Sequence, residues 1–222
     1  MKKDLITLLV LAYLVLTFLV PVLRHRILFG RWPLVFHLES DPLQRLMGGL
    51  LGILVSAWAV WACLNWMLPP DRLGVWRTPA WLDWVGLCFV LGGASLQFAG
   101  QSTMGASFRV GIDTRLTPLV TAGVFGKVRN PIFDGLLTAL LGFALLTPCP
   151  WTLMSYLWIV SLVLIQVRQE EAHLIKTQGE KYLHYAERVG RFFPGLGKLS
   201  ANRSSIRGPI ASCLCAFSDQ GK

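Results

Sequence analysis

Three short stretches of this 222-residue chain hold most of the side chains able to do chemistry. The first is Val128-Arg129-Asn130-Pro131-Ile132-Phe133-Asp134-Gly135. Asn favours the N-cap and Pro the first helical position, so Asn130-Pro131 predicts a helix start. A helix N-terminus presents unpaired N–H groups and partial positive charge, which suits a carboxylate. Two readings are open: an anion site, or a span that simply begins here with Arg129 at lipid headgroups.

The second stretch is Arg168-Gln169-Glu170-Glu171. It follows an apolar run, and adjacent carboxylates at a membrane edge are costly without partners. The cost of an acidic residue near a bilayer centre is about 2.5–3.5 kcal/mol and falls toward the interface. One carboxylate facing a cationic or polyhydroxyl ligand would account for the pair. So would ion pairing of Glu170 with Arg129 or Arg168, leaving Glu171 solvated. The third stretch, Gly179 to Pro194, places Tyr182 and Tyr185 on one helical face. Packing explains these tyrosines adequately, and cation–π contact is the sharper alternative. His25, His37, His173 and His184 show no ligand spacing with any cysteine, so no metal is assigned.

The elements that must position these residues are apolar. The chain is 54% hydrophobic and only 15% charged, with a mean hydropathy of +0.53. A helix needs about 20 mostly apolar residues to cross a bilayer. Five blocks approach that length: Leu5–Val22, Leu46–Leu68, Trp81–Phe98, Ile132–Leu146 and Trp151–Val167. The fourth is short and carries Asp134. The fold class is therefore all-α, a multi-pass transmembrane helical bundle of about five spans. A helix leaving the fifth span is predicted from Glu170 to Val189, with Gly179 a break. The first block also fits a signal peptide, but it is long and no small-residue cleavage site follows, so a retained span is expected.

The net charge of +9 is distributed by topology. With five crossings, Lys2, Lys3, Arg72 and Arg77 fall on one side and every other Lys and Arg on the opposite side. That bias puts the C-terminus in the cytoplasm and argues for anionic lipid rather than nucleic acid. Trp66, Trp76, Trp81, Trp84 and Trp151 form a belt at the outer edge. Residues 1–100 are read as three spans with little chemistry; Gly48 and Gly52 are either a helix-packing notch or ordinary glycines. Residues 101–198 hold the functional core, and 101–131 is expected to be a long connection broken by glycines and Pro118. Residues 199–222 are expected to be a dispensable tail. No structural disulfide is expected of Cys63, Cys88, Cys149, Cys213 and Cys215.

The ordered pieces Gly105–Ile112, Leu119–Phe125, Val128–Gly135, Arg168–Leu174, Gly179–Tyr185 and Arg188–Pro194 resemble the bacterial branch of the isoprenylcysteine carboxyl methyltransferase-like family. They are similar, more distantly, to phospholipid N-methyltransferases. The resemblance covers residues 101–198. It implies an S-adenosylmethionine pocket on the cytosolic side, roofed by the C-terminal helix and open laterally to lipid. Cofactor contacts are implied for Thr117, Leu119, Val120, Phe125, Asn130, Pro131, Phe133 and Glu170. Phe125 and Phe133 stand where the family often has Tyr, keeping the aromatic wall without the hydroxyls. Gln166 stands where the isoprenylcysteine branch has an Arg that meets the substrate carboxylate.

The expected activity is methyl transfer to a carboxylate, amine or thiol of a lipid-like amphiphile. Arg129 is assigned a catalytic role, and Glu171 is the candidate base for an amine or thiol. The rivals are an NADPH-dependent sterol or steroid reductase and a non-catalytic membrane scaffold. The reductases typically show Arg-x-Pro-Asn-Tyr-x-Gly-Glu, from which Ile132, Phe133 and Leu136 depart.

Overall fold

The computed structural model describes residues 2–30, 32–33, 42–108 and 118–199. Among them seven α-helices follow in order: α1 (Lys2–Leu14), α2 (Val20–Phe29), α3 (Pro42–Met67), α4 (Ala80–Met104), α5 (Pro131–Leu146), α6 (Pro150–Gln178) and α7 (Glu180–Arg188). A π-helical turn at Val15–Leu19 joins α1 to α2. Four stretches are long and apolar enough to cross a bilayer: Asp4–Phe29, Arg45–Met67, Ala80–Ser107 and Pro150–Gln178. Their outward faces expose Leu8, Ile53, Leu91, Leu157 and Trp158. In water so much exposed apolar surface would be an aggregation liability, whereas hydrocarbon solvates it. The protein is a multi-pass α-helical membrane bundle.

The short fourth block behaves differently from the other four. At 16 residues α5 is roughly 24 Å long, less than the ~30 Å hydrocarbon core. It is the buried centre of the bundle, with Ala139, Phe143 and Ala144 almost fully enclosed. Glycine spacing explains how it fits. Gly86, Gly93 and Gly100 recur every seven residues along α4; Gly86 meets Gly142, Gly93 meets Gly135 and Ala139, and Gly100 meets Pro131 and Ile132 at the start of α5. A Cβ added at Gly135 would lie 2.5 Å from the Gln97 nitrogen, and one at Gly142 would lie 2.5 Å from the Gly86 oxygen. The two backbones touch. Gly52, by contrast, has nothing within 4 Å of an added Cβ, which favours an ordinary glycine over a packing notch at that position.

Polar groups inside the bundle pair across helices, as they must in hydrocarbon. Pro21 removes the N–H that would reach back to Thr17, and the Thr17 carbonyl accepts Gln101 Nε2 at 2.9 Å. Tyr13 donates to Gln97 Oε1 at 2.7 Å, and Thr7 donates to the Ala62 carbonyl at 3.3 Å. These bonds tie the first, kinked helix to α4 and α3. Around Phe143, Tyr13 and Trp58 pack with ring centroids at 5.4 and 5.9 Å.

The two ends of the bundle differ. At one end Trp76 N donates to the Pro148 carbonyl at 2.9 Å, bringing the 70s loop onto the α5–α6 turn. Trp66, Trp76, Trp81 and Trp84 are all exposed, and Trp151 is half-buried. Cys149 N-caps α6 there in a capping box with Thr152. The opposite end carries the polar residues. There α4 runs to Met104, past the expected start of the connection at 101, and stops at Gly105 (φ 51°). The helix leaving the fifth span is a continuation of α6 to Gln178, broken at Gly179 before α7. Cys213, Cys215 and the tail beyond 199 lie outside the described residues.

The α4–α5 contact yields the first prediction. Gly135→Val should destabilise the bundle by at least the ~1–3 kcal/mol of an overpacked core, seen as a lower Tm and loss of monodisperse protein in detergent. Gly92→Ala, where nothing lies within 4 Å of the added carbon, should leave both unchanged.

Candidate functional site

Glu171 sits 21 residues after the start of α6 and is 5% exposed, at the level where α5 begins. Its Oε1 lies 3.0 Å from Arg129 NH2 and accepts Arg191 Nε at 3.2 Å; its Oε2 accepts Arg191 NH2 at 2.6 Å. The Arg129 side chain is 1% exposed. Its NH1 also donates to the Ala186 carbonyl of α7 at 3.0 Å, and its NH2 to the Gly197 carbonyl at 2.9 Å. One guanidinium thus joins the α5 entrance, α6, α7 and the segment after α7.

That last segment is folded tightly enough to present its carbonyls inward. Val128 and Gly190 form a parallel bridge, with Arg129 N donating to the Gly190 carbonyl at 2.9 Å. A Cβ at Gly190 would fall 1.9 Å from the Phe193 oxygen, so only glycine fits. Asn130 precedes the first helical residue, Pro131, as expected. Its side chain does not cap α5 as the Asn-Pro pattern predicts. Asn130 Nδ2 instead donates to the Arg191 carbonyl at 3.1 Å, drawn there by the tight turn. The α5 N-terminus is left without a side-chain cap.

Above this network, Tyr182 and Tyr185 stack edge to face at 6.0 Å, and Tyr185 donates to the Phe125 carbonyl at 2.7 Å. Burial pushes the Tyr185 hydroxyl up to about 12, with Arg129 acting in the opposite sense. Burial, then the negative charge of Glu171, raises Tyr182 further. Both phenols therefore stay protonated at neutral pH, and Tyr185 serves as a donor that holds the loop. Leu199 also belongs to this layer. It packs beside the tyrosines and its N–H donates to the Ala186 carbonyl at 3.0 Å, although the sequence places it with the tail.

Beneath α7 lies a cavity of about 1150 Å³. Leu119, Val120, Phe125, Arg129, Asn130, Pro131, Phe133, Gln166, Glu170 and Glu171 all line it. The structure thus brings together every expected site residue except Thr117, which lies outside the described residues. Of the two open readings of the carboxylates, the ion pair exists, but on the other glutamate. Glu171, expected in solvent or as a base, is buried with two arginines. Glu170 instead accepts Gln166 Nε2 at 3.1 Å. The reason is helical phase: Glu171 points at the α5 start and α7, where Arg129 and Arg191 converge.

The sequence reading missed other residues of the wall. Gln97 and Gln101 line the same cavity from α4, facing Thr17 and Phe18 of the π turn. Their signal was partly present: Gln97 lies inside the Trp81–Phe98 block, where polar residues are rare, and Gln101 joins it one helical turn on only because α4 continues to Met104. Arg191 was visible only as part of a motif. Leu14, Leu51, Gly52 and Val55 extend the cavity as an apolar trough between α1 and α3, with Gly48 also on its lining.

Comparison with known proteins points in one direction. The model of the phospholipid methyltransferase family matches residues 81–181. The human Protein-S-isoprenylcysteine O-methyltransferase is 30% identical over 118 residues, which is 51% of this chain and 42% of that protein. The eukaryotic intramembrane Ras methyltransferase, an isoprenylcysteine carboxyl methyltransferase solved without a monobody, aligns with 21% identity and a TM-score of 0.48. That alignment covers 73% of this chain and 56% of the solved one. The family match and the human relative support the membrane methyltransferase family that the motifs resemble. The chain spans less than half the length of the human relative.

The buried ion network yields a stability prediction. Removing one partner of a buried pair costs about 3–5 kcal/mol, because a charge is left unmatched. Glu171→Gln and Arg129→Ala should each lower Tm in detergent sharply, whereas Glu170→Gln, at a half-buried position, should leave it within a few degrees.

Proposed function

We propose that this chain is an integral membrane methyltransferase that uses S-adenosylmethionine to methylate an amphiphile entering from the bilayer. The observation that carries the reading is the two-part cavity, polar beneath α7 and apolar between α1 and α3. A typical ligand pocket holds about 300–1,000 Å³, so this one suits a nucleoside cofactor together with a lipid-like acceptor. The human relative's name, a protein-S-isoprenylcysteine O-methyltransferase, agrees with a lipid-bearing acceptor.

The residues fit the cofactor by their chemistry. Leu119, Val120, Phe125 and Phe133 give an adenine an apolar and aromatic wall. The uncapped N-terminus of α5, after Asn130 and Pro131, suits the methionine carboxylate. Glu170 suits the ribose hydroxyls or the positive charge. When bound, S-adenosylmethionine supplies a methyl group on a sulfonium, ready for in-line displacement. Such a reaction needs chiefly proximity and orientation.

The chain's own contribution is then positional. Arg129, with both terminal nitrogens engaged, fixes α7 as the roof and closes the site against water. Glu171 has both oxygens held by arginines, so it acts as a positioning residue rather than as a general base. Gln166 offers a neutral amide where the isoprenylcysteine enzymes carry Arg, which argues against a prenylcysteine carboxylate as acceptor. The basic bias supports an orientation with the polar end and the C-terminus in the cytoplasm.

Incubation with methyl-labelled S-adenosylmethionine and a total lipid extract should label a hydrophobic product. Calorimetry should show binding of S-adenosylmethionine or its demethylated product, and Glu170→Gln should weaken it at least tenfold. Tight NADPH binding without S-adenosylmethionine binding would overturn the reading. Reporter fusions at residue 198 and within 70–80 should report opposite sides of the membrane; the same side for both would refute the orientation.

A further inference from the structure

The segment after α7 ends in a turn with an apolar tip. Leu196 N donates to the Phe193 carbonyl at 3.1 Å across Pro194 and Gly195, and Gly195 takes a φ of 80°. Pro and Gly at the two central positions suit a type II turn. Phe193 and Leu196 form an antiparallel bridge, so their side chains share one face, and each is 66% exposed. A lone exposed apolar side chain is ordinary. A Phe and a Leu held side by side on a stiff turn make a surface that water solvates poorly.

The turn lies at the depth of a membrane surface. Glu171 is 21 residues beyond Pro150 on α6, about 32 Å along the axis, against a hydrocarbon core of about 30 Å. Arg191 reaches Glu171 Oε2 at 2.6 Å with its side chain, and its N–H donates to the Leu196 carbonyl at 2.8 Å. Phe192 packs against the apolar core of the bundle, which keeps the segment on the flank of the helices. The surrounding charge complements an anionic surface. Lys127 precedes the residue bridged to Gly190, Arg188 and Lys198 bracket the segment, and Arg168 stands one helical turn before Glu171; all four are exposed. Of the nearby acids, Glu171 is matched by two arginines, and Glu187 lies 3.6 Å from His184. Asp134 and Glu170 are half-buried, and Glu180 stands at the other end of α7.

We propose that the Phe193–Leu196 turn is an interfacial anchor, which inserts Phe193 and Leu196 at the headgroup–acyl boundary of an anionic leaflet and thereby holds α7 down as the roof. The coupling is covalent and short. Gly197, next to the tip, gives its carbonyl to Arg129, and Leu199 N donates to the Ala186 carbonyl of α7. Apolar insertion and attraction of Lys and Arg to anionic headgroups act together, as at other membrane-surface elements. The anchor is independent of the reaction the cavity performs.

Two measurements on the full chain in vesicles test it. With Phe193→p-benzoylphenylalanine in phosphatidylcholine vesicles holding 30% phosphatidylglycerol, irradiation should give a lipid adduct in intact-protein mass spectra. The yield should match that of Leu157→p-benzoylphenylalanine, on the exposed face of α6. Amide exchange over 185–199 should be about fivefold slower in these vesicles than in pure phosphatidylcholine, the equivalent of one basic residue at an anionic surface. Phe193→Ser with Leu196→Ser should speed that exchange at least fivefold without changing exchange in α4 or α5. Both side chains are exposed, so the double variant should fold. Absence of a lipid adduct at 193 while position 157 labels, or a crosslink from 193 to a second copy of the chain, overturns the anchor. Exchange over 185–199 that is unchanged by the double variant overturns its hold on the roof.

Discussion

Arg129 carries a full positive charge into a place where its side chain is 1% exposed, and the polar end of the bundle is arranged around that charge. Desolvating a guanidinium is expensive unless an opposite charge and enough acceptors surround it. Glu171 supplies the charge; the Ala186 and Gly197 carbonyls supply the acceptors. Each comes from a different segment, so satisfying one side chain fixes α6, α7 and the final turn against the start of α5. Arg191 then balances the second oxygen of Glu171 and leaves its own carbonyl to Asn130.

A second constraint sets where that charged end sits relative to the apolar body. Backbones of α4 and α5 approach to contact through glycines spaced by seven, which sinks a helix too short to span into the bundle centre. Because α5 starts with Pro131 and is fixed lengthwise against α4, Arg129 and Asn130 are held at a defined depth. The same α4 presents Gln97 and Gln101 to the kinked first helix, so the walls of the cavity and the packing of the bundle share residues.

The division of labour that results suits methyl transfer. The groups with the greatest electrostatic consequence, Arg129, Glu171 and Arg191, are engaged with one another and hold the roof. The groups left on the cavity lining are weaker: an uncapped helix start, one half-buried carboxylate and aromatic edges. A reaction whose leaving group is already activated asks for a shaped enclosure more than for an acid or a base.

Composition and spacing alone determined the helical membrane class, the approximate spans, the Asn130-Pro131 helix start and the break at Gly179. These are local properties: apolar run length, the missing N–H of proline, the conformational freedom of glycine. Pairing was a different matter. Which of two adjacent glutamates meets Arg129 depends on a rotation of about 100° between neighbours on α6, and on where α7 and residues 190–197 come to rest. The same holds for Asn130, which suits an N-cap by type and gives its amide to Arg191 because that carbonyl lies within reach. Gln101 gained its meaning only when Pro21, eighty residues earlier, removed the N–H that would reach back to Thr17. Contacts between residues so far apart in the chain are set by how helices pack, and only the tertiary structure decides that.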